Sequence, residues 1–153
     1  MKNSVELMWE RYIQSLPEAS RKGKEYTSWA FGDGPLMARE LADLVKNGEK
    51  TGTCSLFSFY EAENEPMPFV GELNIITDWN NEAEVITETT NVQVLPFNEV
   101  SAEFAAKEGE GDKSYEYWKR AHVEFFTNEL NEMGESFDEK MLVVCEEFKV
   151  IFQ

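Results

Sequence analysis

The side chains most able to do chemistry fall in three short stretches of this 153-residue chain. In NGEKTGT, residues 47–53, one lysine sits among glycines and threonines. A cation at a helix exit favours the negative end of the macrodipole, so Lys50 can be purely structural. Partial desolvation would instead lower its pKa and make it a base; kept charged, it would hold an anion or a carbonyl. Thr51 and Thr53 alternate along the chain, which puts Lys50 on the other face of a strand unless that strand starts later. A threonine hydroxyl becomes a nucleophile only beside a base. KEGEGDKS, residues 107–114, offers Glu108, Glu110 and Asp112 at alternate positions. They read as a solvated acidic loop, or as a source of one general acid–base group or a carboxylate partner for Lys50. SWAFGDGP, residues 28–35, sets Trp29, Phe31 and Gly32 in a loop that feeds a helix start. Loop aromatics can stack a base and a helix start can hold an anion; both rings can equally staple the loop to the core.

Several chemistries fail on spacing. Counted from Glu108, the twelfth position is Lys119, where a calcium loop of the EF-hand type needs a bidentate glutamate. His122 is the only histidine, and the H-x-E pattern it opens with Glu124 lacks the following P-C-x-x-C of zinc deaminases. It shares a helical stripe with Trp118 and Phe125, which suits a partly buried histidine. Cys54 and Cys145 lie in separate strand-like runs and form no Cys-x-x-Cys pair, so two buried free thiols are expected. No metal site and no cofactor are expected: the one histidine lacks a cysteine pair, and FGDG has neither the preceding strand nor the third glycine of a dinucleotide fingerprint.

Charge narrows the partners. Thirty acidic residues against 14 Lys and Arg give −16 at pH 7. That field repels a long phosphate backbone, which excludes extended duplex DNA, while a small pocket with its own cation is still allowed. Hydrophobic content of 42%, with 11 Phe, 5 Tyr and 4 Trp, supports a packed core rather than disorder. No apolar run reaches 18 residues and no basic-then-apolar leader follows Met1, so no membrane partner and a cytoplasmic location are expected.

The elements that must position these groups follow from periodicity. Residues 4–16 carry Val5, Met8, Trp9, Tyr12 and Ile13 on one helical face, ended by Pro17. Residues 20–34 read as a loop or short extended piece. Pro35 suits a first helical turn capped by Asp33 or Gly34, and Gly48 a C-terminal cap, giving a helix over 35–46. Strands are expected over 51–60, 69–78 and 84–95, the last two joined as a hairpin by WNNEAE. Asn98 is expected to cap a short helix carrying Val100 and Phe104. A long helix runs from Tyr115 to Leu130, and residues 140–152 form the final strand. This α-α-β-β-β-α-α-β order lacks strand–helix alternation, which argues for a small α+β domain or a partly open barrel. Residues 1–20 read as an added helix packed on a single domain over 21–153.

Taken together, WAFGDGP, ARELADLVKNGEKTGT, GEGDKSYEYWKRAHVEFF and VVCEEFKVIF resemble the ASCH domain family, a PUA-like fold. The G-x-K-x-x-T core of the family stands here as Gly48, Lys50 and Thr53. The resemblance implies a partly open β-barrel with flanking helices around a cleft, and a link to RNA or modified nucleosides. Some members are similar to acetylcytidine amidohydrolases with a lysine, a threonine and a glutamate in the active site. Those fall on Lys50, Thr53 and either Glu108 or Glu110. Other members look like ribonucleases or non-catalytic RNA- or nucleoside-binding modules. The expected partner is therefore a nucleoside or short RNA element, with Trp29, Phe31, Gly32, Thr51, Trp118 and His122 around it. In the hydrolytic form Thr53 attacks the amide, Lys50 takes and returns the proton, and Trp29 or Trp118 stacks the pyrimidine. That pairing requires a kink, so a bulge or irregular strand start is expected at Gly52.

Overall fold

The computed structural model describes residues 1–153. Helix α1 (Ser4–Ser15) starts where the Asn3 side chain accepts from the Glu6 N–H and Glu6 answers on the Asn3 N–H, a reciprocal capping box. Strand β1 (Thr27–Ala30) follows, then helix α2 (Pro35–Lys46), with Gly34 at its N-cap and Pro35 in its first turn. Gly48, at φ 78°, lets the chain leave α2 through a left-handed residue. Next come β2 (Gly52–Leu56), α3 (Phe57–Ala62), β3 (Leu73–Thr77) and β4 (Ala83–Pro96). Helices α4 (Ala102–Lys107) and α5 (Tyr115–Glu132) begin on the hydroxyls of Ser101 and Ser114, and β5 (Leu142–Phe152) closes the chain.

The five strands make one mixed sheet in the order β1-β3-β4-β5-β2, curled into a half-barrel with helices on its flanks. Only β1 and β3 pair in parallel; β3–β4, β4–β5 and β5–β2 are antiparallel. Three apolar clusters hold helices to this sheet. Helices α4 and α5 cover Cys54, Leu56, Val143 and Cys145 through Ala105, Trp118, Phe126 and Leu130. Helix α2 sets Leu41, Ala42 and Val45 on Ile76, Val85 and Phe148, and α1 sets Val5, Met8 and Tyr12 on Leu73, Ile75 and Ile86. Cys54 and Cys145 are buried free thiols directly opposite each other across β2 and β5.

Several boundaries differ from those the sequence suggests. The strand expected over 51–60 stops at Leu56, because its partner β5 begins at Leu142 and the last pair is Leu56 with Val143. Without a neighbour to accept its hydrogen bonds, the aromatic run from Phe57 turns into α3. The strand expected from residue 69 starts at Leu73, and Asn98 caps no helix: Phe97–Glu99 is a 3₁₀ turn and Ser101 caps α4. The bulge expected at Gly52 is absent, since Gly52 pairs with Glu147 in an unbroken register along β2. Its missing Cβ serves close packing instead: a methyl there would lie 3.2 Å from both the Glu146 carbonyl and the Phe104 ring.

Candidate functional site

A cleft of about 450 Å³ opens between α5, the N-terminal ends of β2 and α2, and the loops around β1 and β3. Its position follows from local chain choices. The strand β2 begins only at Gly52, so Lys50 is free of sheet geometry. The Lys50 N–H goes to the Leu44 carbonyl and the Thr51 N–H to the Lys107 carbonyl, at 3.0 and 2.7 Å. This tie joins the exit of α2 to the end of α4. The Glu108–Glu110 loop is brought close by Gly109, at φ 69°, whose backbone lies so near the Glu49 carbonyl that no Cβ fits. Lys50 therefore meets the acidic loop by backbone contact on both sides.

The result is a buried ion cluster. The Lys50 side chain is 1% exposed, with Nζ donating to Glu108 Oε1 and Glu110 Oε2 at 3.0 Å each. The Phe31 ring lies under the ammonium, 5.3 Å to its centroid. Glu108 Oε2 accepts the indole N–H of Trp118 and sits 3.0 Å from His122 Nε2. His122 Nδ1 donates to the Trp118 carbonyl at 2.8 Å, which directs Nε2 at the carboxylate. Burial alone would push the Glu108 carboxyl up, but Lys50 and His122 outweigh it and hold it at about 2. Burial would likewise strip the proton from Lys50 and His122, and the carboxylates reverse both shifts to above the ordinary values. Lys50 is thus an ammonium. Two of its three N–H groups are engaged by the glutamates, leaving one donor for a ligand.

The sequence-derived candidates divide into two groups in space. Lys50, Thr53, Glu108, Glu110, Trp29, Phe31, Gly32 and His122 all line the cleft. Thr51 and Trp118 do not. The Thr51 hydroxyl turns towards the Lys107 carbonyl, 3.4 Å away. Trp118 is 2% exposed, with Phe97 stacked at 5.2 Å and His122 at 4.5 Å, so neither ring face is open to a base. Its part is to fix Glu108. Trp29 is held edge-on against Phe31 and donates its N–H to Asn74 Oδ1 at 3.0 Å. Gly32, at φ 79°, sits where a Cβ would strike the Met37 side chain.

A second polar chain, absent from the sequence reading, reaches the cleft through Thr27, Trp29, Asn74 and Glu146. Asn74 accepts from Thr27 Oγ1 and Trp29 and donates to Thr89 Oγ1, which donates to Glu146 Oε2 at 3.1 Å. Asn74, Thr89 and Glu146 are all buried. Burial, reinforced by the charge of Glu72, raises Glu146 to about 7. A faint signal was present: at alternate positions of this strand Glu146 is the one polar residue among Val144, Phe148, Val150 and Phe152, out of place on a buried face. Glu108, Glu110 and His122 also bring ligand atoms within 4.8 Å of one another, as a metal site would. The Lys50 ammonium, in contact with both glutamates, already supplies the positive charge there, and a divalent ion would have to displace it.

A model of the ASCH domain family matches residues 27–152. Among solved structures, the chain is similar to an ASCH domain from Lactobacillus crispatus JV V101, at 40% identity and a TM-score of 0.92, over 100% of this chain and 97% of that one. It is also similar to a protein from Enterococcus faecalis V583, at 34% identity and a TM-score of 0.86, over 97% of this chain and 88% of the other. No curated protein matches the chain.

Proposed function

The chain belongs to the ASCH domain family, a PUA-like fold often linked to RNA binding, and on that premise we propose that its cleft takes a single modified nucleoside and hydrolyses an amide on it. One observation carries this reading: a fully buried, charged lysine with one spare N–H shares an aromatic-walled cleft with the Thr53 hydroxyl. The spare N–H suits a carbonyl oxygen, and stabilises the oxyanion as the carbonyl is attacked. Glu108 and Glu110 keep Lys50 charged and fixed, Trp118 and His122 keep Glu108 in place, and Trp29 and Phe125 offer walls for a flat ring. Thr53 is the nucleophile. An ammonium held by two carboxylates does not accept the Thr53 proton, so Lys50 acts here as an electrophile rather than as a base.

An acylated cytidine fits this chemistry, since it joins a flat base to a hydrolysable amide. The test is a hydrolysis screen over N4-acylated cytidines with the wild type, Lys50→Ala and Thr53→Val. Turnover that falls by about 100-fold or more in both variants, with the fold intact by circular dichroism, supports the reading. Saturable nucleoside binding with no turnover of any acylated cytidine replaces it with a non-catalytic binding module. Cleavage of an RNA strand replaces it with a ribonuclease.

A further inference from the structure

We propose that Glu146 is the general base that takes the Thr53 proton, a role that rests on the hydrolytic reading of the cleft. Thr53 and Glu146 are direct partners in the antiparallel register of β2 and β5. Directly opposite residues present their side chains on the same face, with Cβ atoms about 4.5–5.5 Å apart. Both side chains line the cleft. Glu146 is 6% exposed, and its one hydrogen bond, from Thr89, falls on Oε2. Oε1 has no hydrogen-bond partner in the protein, which leaves it available to a proton from the cleft. The Thr89 bond, backed by Asn74, fixes the carboxyl plane, as a base needs.

Lys50 cannot fill this role, being locked as a cation, and neither can Glu108, whose two oxygens are taken by Lys50, Trp118 and His122. The titratable groups around Glu146 are Glu72, ahead of β3, and Tyr60, on α3; Glu72 raises the Glu146 pKa and Glu146 that of Tyr60. Burial, reinforced by the charge of Glu72, brings Glu146 to about 7, where a base is half ionised at neutral pH and strong enough to act. As Thr53 Oγ bonds to the acyl carbon, its proton passes to Glu146. The same proton goes to the leaving amine nitrogen as the C–N bond breaks, giving an acyl-threonine and a free amine. Water then attacks the ester carbonyl, gives its proton to Glu146, and Thr53 Oγ leaves with that proton.

Two arms separate this proposal from the choice of substrate. The first uses p-nitrophenyl acetate, an activated acyl donor that needs no nucleoside recognition, and follows nitrophenolate release and acetylation of Thr53 by mass spectrometry. The expected result is Thr53 acetylation whose rate falls on the acid side with an apparent pKa near 7. Glu146→Gln should slow it about 100-fold or more and abolish the acid limb. Glu146→Asp, which keeps a carboxyl group, should recover part of the rate and retain a limb, and it carries the test should the glutamine variant not fold. Unchanged acetylation in Glu146→Gln, or no acetylation of Thr53 in the wild type, overturns the proposal. The second arm repeats the series with N4-acetylcytidine. Loss of turnover there alone, with the first arm intact, removes the acylated cytidine and leaves Glu146 as the base.

Discussion

At Lys50 the energetic question is how a buried charge survives, and the answer sets how the protein responds to acid. Removing an ammonium from water costs several kcal/mol, and only good geometry with both glutamates offsets it. The carboxyl of Glu108 sits at about 2 against an ordinary 4.5. A depressed carboxyl stabilises the fold fully above its unfolded value and loses that contribution as pH falls through the folded one. The window is therefore about pH 4.5 down to 2, and its full size is about 3 kcal/mol. Glu108→Gln should cost about 3–5 kcal/mol at pH 7, because Lys50 and His122 lose their shared partner. Urea midpoints at pH 7 and pH 3 check this: the gap between wild type and variant should narrow on acidification, and a gap that widens would contradict the cluster's role. The pairing of Lys50 with the Glu108–Glu110 loop was partly legible in the sequence, because a lone lysine among small residues and a run of alternate acids are unusual by type alone. Glu146 was not legible as a partner of Thr53, since that neighbourhood is a fact of register between two distant strands.

Among the elements, the long helices and the β3–β4 hairpin followed from periodicity and turn chemistry because each is stabilised locally. What periodicity missed depends on partners. Strand β1 is four residues long and pairs in parallel with β3, so nothing near it in sequence marks it as a strand. The end of β2 is likewise set by where β5 begins. The site hangs on a contact of the same kind, between the exit of α2 and the loop after α4. Gly109 has a left-handed φ of 69°, and a Cβ there would fall on the Glu49 carbonyl, which is rigid backbone. Gly109→Ala should therefore part the two loops and draw Glu108 and Glu110 off Lys50. It should cost about 1–3 kcal/mol in unfolding free energy for the backbone conformation alone, and more with the ion cluster disturbed. Gly48→Ala is the control: it carries the same left-handed strain, at φ 78°, but its Cβ would meet nothing within 4 Å. If thermal melts show the two variants equally stable, the close approach at Gly109 does not hold the site together.

For the whole molecule, the −16 charge and the cleft act in the same direction. Six glutamates line the cleft (65, 72, 108, 110, 129 and 146) against Lys50 and His122, and the positive charge of those two is already matched by Glu108 and Glu110. No helix is long and apolar enough to cross a membrane. A fold family often linked to RNA is here carried by a surface that repels a phosphate chain, and the two fit together if the ligand is one uncharged nucleoside unit rather than a strand. The consequence is measurable with a pair of ligands that differ only in a phosphate. A nucleoside should bind at least about ten-fold tighter than its 5′-monophosphate at 50 mM salt, by titration calorimetry at pH 7.5. Raising salt to 500 mM shortens the screening length from roughly 14 Å to roughly 4 Å, so repulsion from the outer glutamates should fade and the two affinities converge. Hydrogen bonds and stacking inside the cleft respond little to salt, so nucleoside affinity itself should stay nearly constant. Preference for the monophosphate at low salt would mean that the phosphate meets Lys50 rather than the glutamates. In that case the lysine's third N–H would serve an anion and not the carbonyl of an amide.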